Sequence, residues 1–117
     1  MKGTKTLGAA IVLLTAAMSF YAGRQSAPTM SVKLDNSRVT ITESLTPAGG
    51  RREAYTRPTD QIIVFVDEAS YESLDASGQR TLRHRLPGEI VWHSKGEAAP
   101  VLVNKGKPYR NLVIALK

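Results

Sequence analysis

The sequence predicts a small all-β domain, a barrel of two packed antiparallel sheets, and three observations carry that expectation. Residues 38–45, RVTITESL, alternate Val39, Ile41 and Leu45 with Arg38, Thr40, Thr42 and Ser44, the period of a half-buried strand. Residues 61–68, QIIVFVDE, open with a continuous β-branched and aromatic run that suits a central strand covered on both faces. Turn signals then recur every eight to twelve residues, at ASGQ, Pro87-Gly88, SKG and KGKP.

The remaining elements follow in order. SYESLD continues after the apolar run. RTLRHRL (80–86) alternates again, with Leu82, His84 and Leu86 expected on the core face and Arg83 and Arg85 outside. EIVWH, VLVN and YRNLVIALK are three further strands. Beyond residue 30 no segment has a good helical period; the nearest is EASYESLDAS, where Ala69, Tyr71 and Leu74 are poorly spaced. Seven or eight short strands of this kind make a sandwich or barrel.

The start of the chain is different. Lys2 and Lys5 precede an uncharged run from Leu7 to Gly23, closed by Arg24, with small residues around Ala17-Met18-Ser19. A basic start and an apolar middle describe a secretory signal, and the run also approaches the length of a membrane anchor, about 20 residues. Both readings place residues 24–117 outside the cytoplasm, in the periplasm or anchored facing it, with the membrane touched only through residues 1–23. Residues 24–33 read as a linker and 34–117 as the domain.

The 117 residues carry 16 Lys and Arg against 10 Asp and Glu; without Lys2 and Lys5 the net charge falls from +6 to +4. That mild excess favours anionic partners without making a nucleic-acid binder. No cysteine is present, so disulfides do not hold the fold together. Ser44, Ser70 and Ser94 have no histidine and acid at triad spacing, and GKPYR lacks a phosphate-loop signature.

The order of pieces in GQRTLRHRLPGEIVWHSKGEAAPVLVNKGKPYRNLVIALK resembles the second half of a small single-domain cupin: an alternating strand, a glycine turn at Gly88, an apolar strand, a loop at SKG, an asparagine turn at Asn104 and a last apolar strand. PAGGRREAYTRPTD then takes the place of the family's first motif, a glycine, five residues and His-x-His. Counting from Gly49 lands on Tyr55 and Arg57, and the acidic ligand falls near Asp60 or Gln61. The resemblance spans residues 34–117 and implies a jelly-roll barrel, in metal-dependent members with imidazole and carboxylate ligands facing inward. Here those ligands are replaced. A phenol keeps its proton, a guanidinium has no lone pair to give, and Ala99 stands where a third histidine belongs. Asn104 comes one residue late, leaving room for a bulge. The resemblance therefore implies no metal and no cofactor.

Tyr55 and Arg57, two apart, share a strand face, which the resemblance turns toward the interior. Arginine's planar fork suits a carboxylate or phosphate, with the phenol as a further donor; the alternative is an internal ion pair of Arg57 with Asp60 or another acid. Asp60 is expected to hold Arg57 in place, and Gln61, His84 and Trp92 complete the candidate ligand-binding set. His84 is otherwise a core histidine, and His93 is read as structural at a strand end. Arg51 and Arg52 at the turn are expected to be solvated edge charges. The expected function is a non-catalytic binding module for a small anionic or polar ligand or a partner protein. Two alternatives stand beside it: a metal-dependent isomerase or oxygenase with a relocated site on His84, His93 and an acid, and a structural homodimeric subunit with an apolar outer patch.

Overall fold

The computed structural model describes residues 26–117. The export segment expected over residues 1–23, with its cleavage or anchoring, and the first two linker residues lie outside the described residues.

Eleven strands follow one another: β1 (Thr29–Asp35), β2 (Val39–Thr46), β3 (Arg51–Arg52), β4 (Tyr55–Thr56), β5 (Gln61–Phe65), β6 (Ala69–Leu74), β7 (Arg80–Arg85), β8 (Ile90–His93), β9 (Ala98–Ala99), β10 (Val101–Asn104) and β11 (Tyr109–Leu116). A five-stranded sheet runs β1-β2-β11-β5-β8, a four-stranded sheet β3-β10-β6-β7, and β4 pairs with β9. Every pairing is antiparallel. EASYESLDAS contains β6, so the residue over which a helical turn came nearest is strand.

The apolar run at 61–65 is central, between β11 and β8. Its inward residues Gln61, Ile63 and Phe65 are buried, while Ile62 and Val64 on its outer face are half-buried. β1 begins at Thr29, inside the stretch read as linker; it is an edge strand exposed along its whole length, which is why its sequence carries no strong burial pattern.

The core joins the two sheets. Ile63 and Phe65 from β5 and Tyr109 from β11 meet Ala69 and Tyr71 from β6, with Val91, Leu102 and Val113 packed against them. Phe65, Tyr71 and Tyr109 form a triangle of rings with centroids 6.1–6.2 Å apart, a separation at which aromatic pairs attract beyond their area burial.

Two turns lock the strand ends. Gly88 adopts φ 84°, and Glu89 N–H donates to Leu86 C=O at 3.1 Å, so Pro87-Gly88 makes a tight turn whose third residue must tolerate a left-handed backbone. Asn104, buried, donates from its amide to the carbonyls of Pro47 (3.0 Å) and Lys107 (2.9 Å) and accepts from Gly106 N–H at 2.9 Å. One side chain thus ties the 47–50 turn to the 105–108 turn.

The facing of β7 corrects the sequence expectation. Leu82 is 75% exposed and His84 and Leu86 face solvent, whereas Arg85 is half-buried against the interior and Arg83 borders the cavity while remaining exposed. Register is the cause: Arg83 pairs with Tyr71 and Arg85 with Ala69, and cross-strand partners point to the same side. Because Tyr71 and Ala69 are core residues, both arginines sit on the cavity side of β7, Arg85 half-buried and Arg83 exposed. Arg85 is accommodated there by Tyr71 Oη (3.2 Å from Nε), Glu89 (2.9 Å from Nη1) and the Phe65 ring.

The outer face of the large sheet is mostly apolar, with Glu43 as its charged member in these rows. One cross-strand row reads Leu34, Ile41, Ile114, Ile62, Trp92, and the next reads Glu43, Leu112, Val64, Ile90.

Candidate functional site

Between the sheets lies a cavity of about 970 Å³, open at one side and walled by both sheets and by the β4/β9 pair. Its polar groups gather where β5 begins. Tyr55 pairs with Ala99, Arg57 N–H donates to Glu97 C=O at 3.0 Å, and Gly96 N–H donates to Arg57 C=O at 2.8 Å. This backbone lock carries the Arg57 side chain inward, where it is 3% exposed.

A buried guanidinium needs acceptors, since an unpaired internal charge costs several kcal/mol, of order 3–5 when a partner is removed. Arg57 Nη1 donates to Gln61 Oε1 at 2.9 Å and to Tyr55 Oη at 3.0 Å. Glu97 Oε2 stands 3.4 Å from Arg57 Nε, near enough for charge pairing, but without hydrogen-bond geometry, so Nε has no acceptor among the described residues. The carboxylate expected from Asp60 is elsewhere: Asp60 accepts from Lys95 N–H at 2.7 Å. The internal ion pair therefore exists with Glu97 in place of Asp60, and Gln61 is the group that fixes the fork. Asp60 lies where the counted spacing put an acid, but its side chain closes the 94–97 loop.

Arg52 is the residue the sequence reading missed. It is half-buried on the cavity wall, no solvated edge charge. Its Nη2 donates to Pro100 C=O at 2.6 Å, its Nε is buried without a partner, and no carboxylate lies within 4.0 Å of it among the described residues. Its Cζ sits 5.2 Å from the Tyr55 ring centroid and Arg57 Cζ sits 5.4 Å from the same centroid, so one phenol ring serves two cations. Burial, the largest cause, together with the Arg57 charge lowers the Arg52 pKa, opposed by the nearby Tyr55, Tyr109 and Tyr71. Arg52 remains a cation, held where an anion would relieve it. The one available signal was the pairing of Arg52 with Leu102, which no local pattern reveals.

His93 is on the cavity wall at the end of β8, opposite Gln61 in the register. Its Nδ1 lies 2.5 Å from Glu97 Oε2. A carboxylate only accepts, so Nδ1 carries the proton and the neutral ring keeps a lone pair on Nε2. Burial, then repulsion from Arg57, lowers the His93 pKa, and Glu97 only partly offsets them. Glu97 is thus shared between an imidazole and a guanidinium.

The expected lumenal placement of His84 and Trp92 is corrected. His84 is exposed on β7, 3.5 Å from Glu68, and Trp92 lies on the outer face of the large sheet with Nε1 donating to Ser94 Oγ at 3.1 Å. His84 and His93 face opposite ways from different sheets, so the relocated metal site is not assembled. Among the described residues no group of three His, Cys, Asp or Glu is placed to hold a metal. At the ligand positions implied by the family motif stand Tyr55, Arg57 and the buried Ala99. An arriving cation would meet two guanidinium groups, and this donor set does not fit a metal.

The lowered His93 pKa has a consequence for stability. The unfolded histidine titrates near about 6.5 and the folded one lower, so between the two the unfolded chain binds more protons. The contribution is complete above the unfolded value and is lost as pH falls through the folded one. Urea midpoints measured from about pH 7.5 down to about pH 5 should decline in the wild type and decline less in His93→Gln. Equal declines would contradict the placement of His93.

No family model matches this chain, and no curated protein matches it. Solved structures do. A cupin domain from Bordetella pertussis Tohama I aligns with 80% of this chain and 97% of its own, at 19% identity and TM-score 0.72. The polyketide cyclase RemF from Streptomyces resistomycificus aligns over 80% of this chain and 69% of its own, at 21% identity and TM-score 0.63. A cupin superfamily protein from Desulfitobacterium hafniense DCB-2 covers 80% of each chain at 15% identity and TM-score 0.60. The antiparallel barrel and these likenesses together give the chain the fold of the cupin superfamily.

Proposed function

We propose that this chain is an exported binding module that takes a small organic anion into the barrel, with no metal-dependent chemistry. The observation that carries the reading is Arg52: a half-buried cation on a cavity wall, with no carboxylate partner and a buried Nε lacking an acceptor among the described residues. Arg57 adds a second guanidinium whose Nη1 is committed to Gln61 and Tyr55, leaving Nη2 for a ligand. Tyr55 positions both cations. The bland alternative, a self-contained internal ion pair, accounts for Arg57 and Glu97 but leaves Arg52 unexplained.

A thermal-shift screen of carboxylates and phosphates against the full chain tests the reading. A stabilising anion should lose about tenfold or more in affinity on Arg52→Met, the worth of a charge-assisted hydrogen bond. It should keep its affinity on Arg80→Met, whose guanidinium pairs with Glu72 outside the cavity. Equal affinity for both variants would overturn the reading.

A second reading, a homodimer, is favoured by the outer face of the large sheet. Its two rows run across the strands from Leu34 to Trp92 and from Leu112 to Ile90, and Trp92 and Ile90 are exposed. An isologous contact sets this patch against itself. Apolar rows tolerate that, and the rim charge of Arg110 is already neutralised within the chain by a two-pronged pair with Asp67. Light scattering should return a dimer that becomes a monomer on Trp92→Glu with the melting temperature little changed. A wild-type monomer at every concentration would refute it.

A further inference from the structure

We infer that the anion is an aryl monocarboxylate of about two-ring size, held head-first at Arg52 and Arg57 with its ring system against the apolar interior. This deepens the binding reading above and rests on it.

Three properties of the cavity select that class. The first is charge. Of the four arginines that line the cavity, Arg85 is paired with Glu89 and Arg83 is exposed, so the end at Arg52 and Arg57 holds two guanidinium groups, one carboxylate (Glu97) and a histidine whose pKa is lowered, a local sum of one positive charge. A monoanion neutralises it. A phosphate dianion would leave excess negative charge beside Glu97, in a wall where low polarity strengthens the repulsion. The planar forks of two arginines also match the planar carboxylate.

The second property is the gradient of polarity along the strands. On β5 the inward residues run Gln61, Ile63, Phe65; beside them β8 presents His93 then Val91, and β11 presents Ala115, Val113 and Asn111 in the same order. The charged layer is therefore followed by Ile63, Val91 and Val113, and then by the rings of Phe65 and Tyr109 with Tyr71 from the facing sheet, where Arg85, held by Glu89 and Tyr71, also lines the cavity. Gln61 and Phe65 are four residues apart, about 13 Å at the ordinary strand rise. Acetate would leave most of that length unfilled, and a sugar phosphate would set part of its hydroxyls against Ile63, Val91, Val113 and the aromatic rings, where only the β2 wall and Asn111 return hydrogen bonds, at a cost of about 1–3 kcal/mol for each group left unpaired.

The third property is the β2 wall. Thr42, Ser44 and Thr46 face the cavity in a line, next to Asn111, whose Oδ1 is buried without a donor among the described residues. A hydroxyl at the far end of the ring system has an acceptor waiting there. The class thus narrows to hydroxyaryl carboxylates.

The test is isothermal titration of the full chain with four probes: 6-hydroxy-2-naphthoate, its neutral analogue 6-hydroxy-2-naphthamide, glucose 6-phosphate and acetate. The naphthoate should bind, at least about tenfold tighter than the amide, with acetate and glucose 6-phosphate weaker still. Its affinity should fall about tenfold or more on Arg52→Met, and severalfold on Asn111→Leu, which removes the acceptor. Because Asn111→Leu adds apolar area, a fold defect is checked by its melting curve, and 2-naphthoate, which lacks the hydroxyl, should bind wild type and Asn111→Leu alike. If glucose 6-phosphate binds tighter than the naphthoate and Arg52→Met abolishes it, anion binding stands and the aryl class is wrong. If the amide binds as tightly as the naphthoate, the charge argument fails and both proposals fall. If none of the four binds, the aryl class is overturned, and the wider anion screen decides the parent reading separately.

Discussion

A guanidinium inside a β-barrel is the constraint from which the rest of this architecture follows. Arg57 is 3% exposed, and a cation so placed survives only where acceptors surround it. Gln61 at the head of the central strand supplies one, Tyr55 another, and Glu97 the countercharge. To bring them together the chain pairs β4 with β9 and clamps Arg57 to the 96–97 loop by two backbone hydrogen bonds. One side chain's need for partners thereby defines the end of the barrel where the cavity is polar.

That requirement also decides the chemistry. Lone-pair donors turned inward grip a cation; proton donors turned inward grip an anion. Tyr55 presents a phenol ring within reach of two guanidinium groups, and both arginines have a buried Nε without an acceptor among the described residues. Among the described residues Glu97 is the single carboxylate near them, and it is divided between Arg57 and His93. The inner surface has therefore exchanged its electrostatic sign relative to a metal cage, while the strands that carry it keep the fold shared with the cupin domain of Bordetella pertussis Tohama I.

Much of this was legible in the sequence, and the parts that were not have physical reasons. The apolar run at 61–65 and the turn at Pro87-Gly88 announced themselves because each depends on local chemistry: β-branched burial in one case, a left-handed glycine in the other. The shared face of Tyr55 and Arg57 was legible too, with the counted spacing placing both beside Gln61. Alternation misled at β7, where leucines at an exposed edge mimicked a core stripe and the half-buried Arg85 looked like a solvent residue; only pairing with Tyr71 and Ala69 decides the matter. Arg52 was hidden for the same reason. A two-residue strand has no period to read, and its facing is set by Leu102, fifty residues away in sequence. Glu97 and His93 lie on a loop and at a strand end, so their convergence on Arg57 is a property of the closed barrel and of no segment alone.

The central claim is that Arg52 and Arg57 face an anion-accepting cavity between the sheets, and side-chain NMR of the arginine Nε–H groups addresses it directly. Both resonances should exchange slowly with water, as buried donors do, and both should shift when 6-hydroxy-2-naphthoate is titrated in, while that of Arg80, exposed and paired with Glu72, stays in place. Rapid exchange of the Arg52 and Arg57 signals, or shifts confined to exposed arginines, would contradict the account.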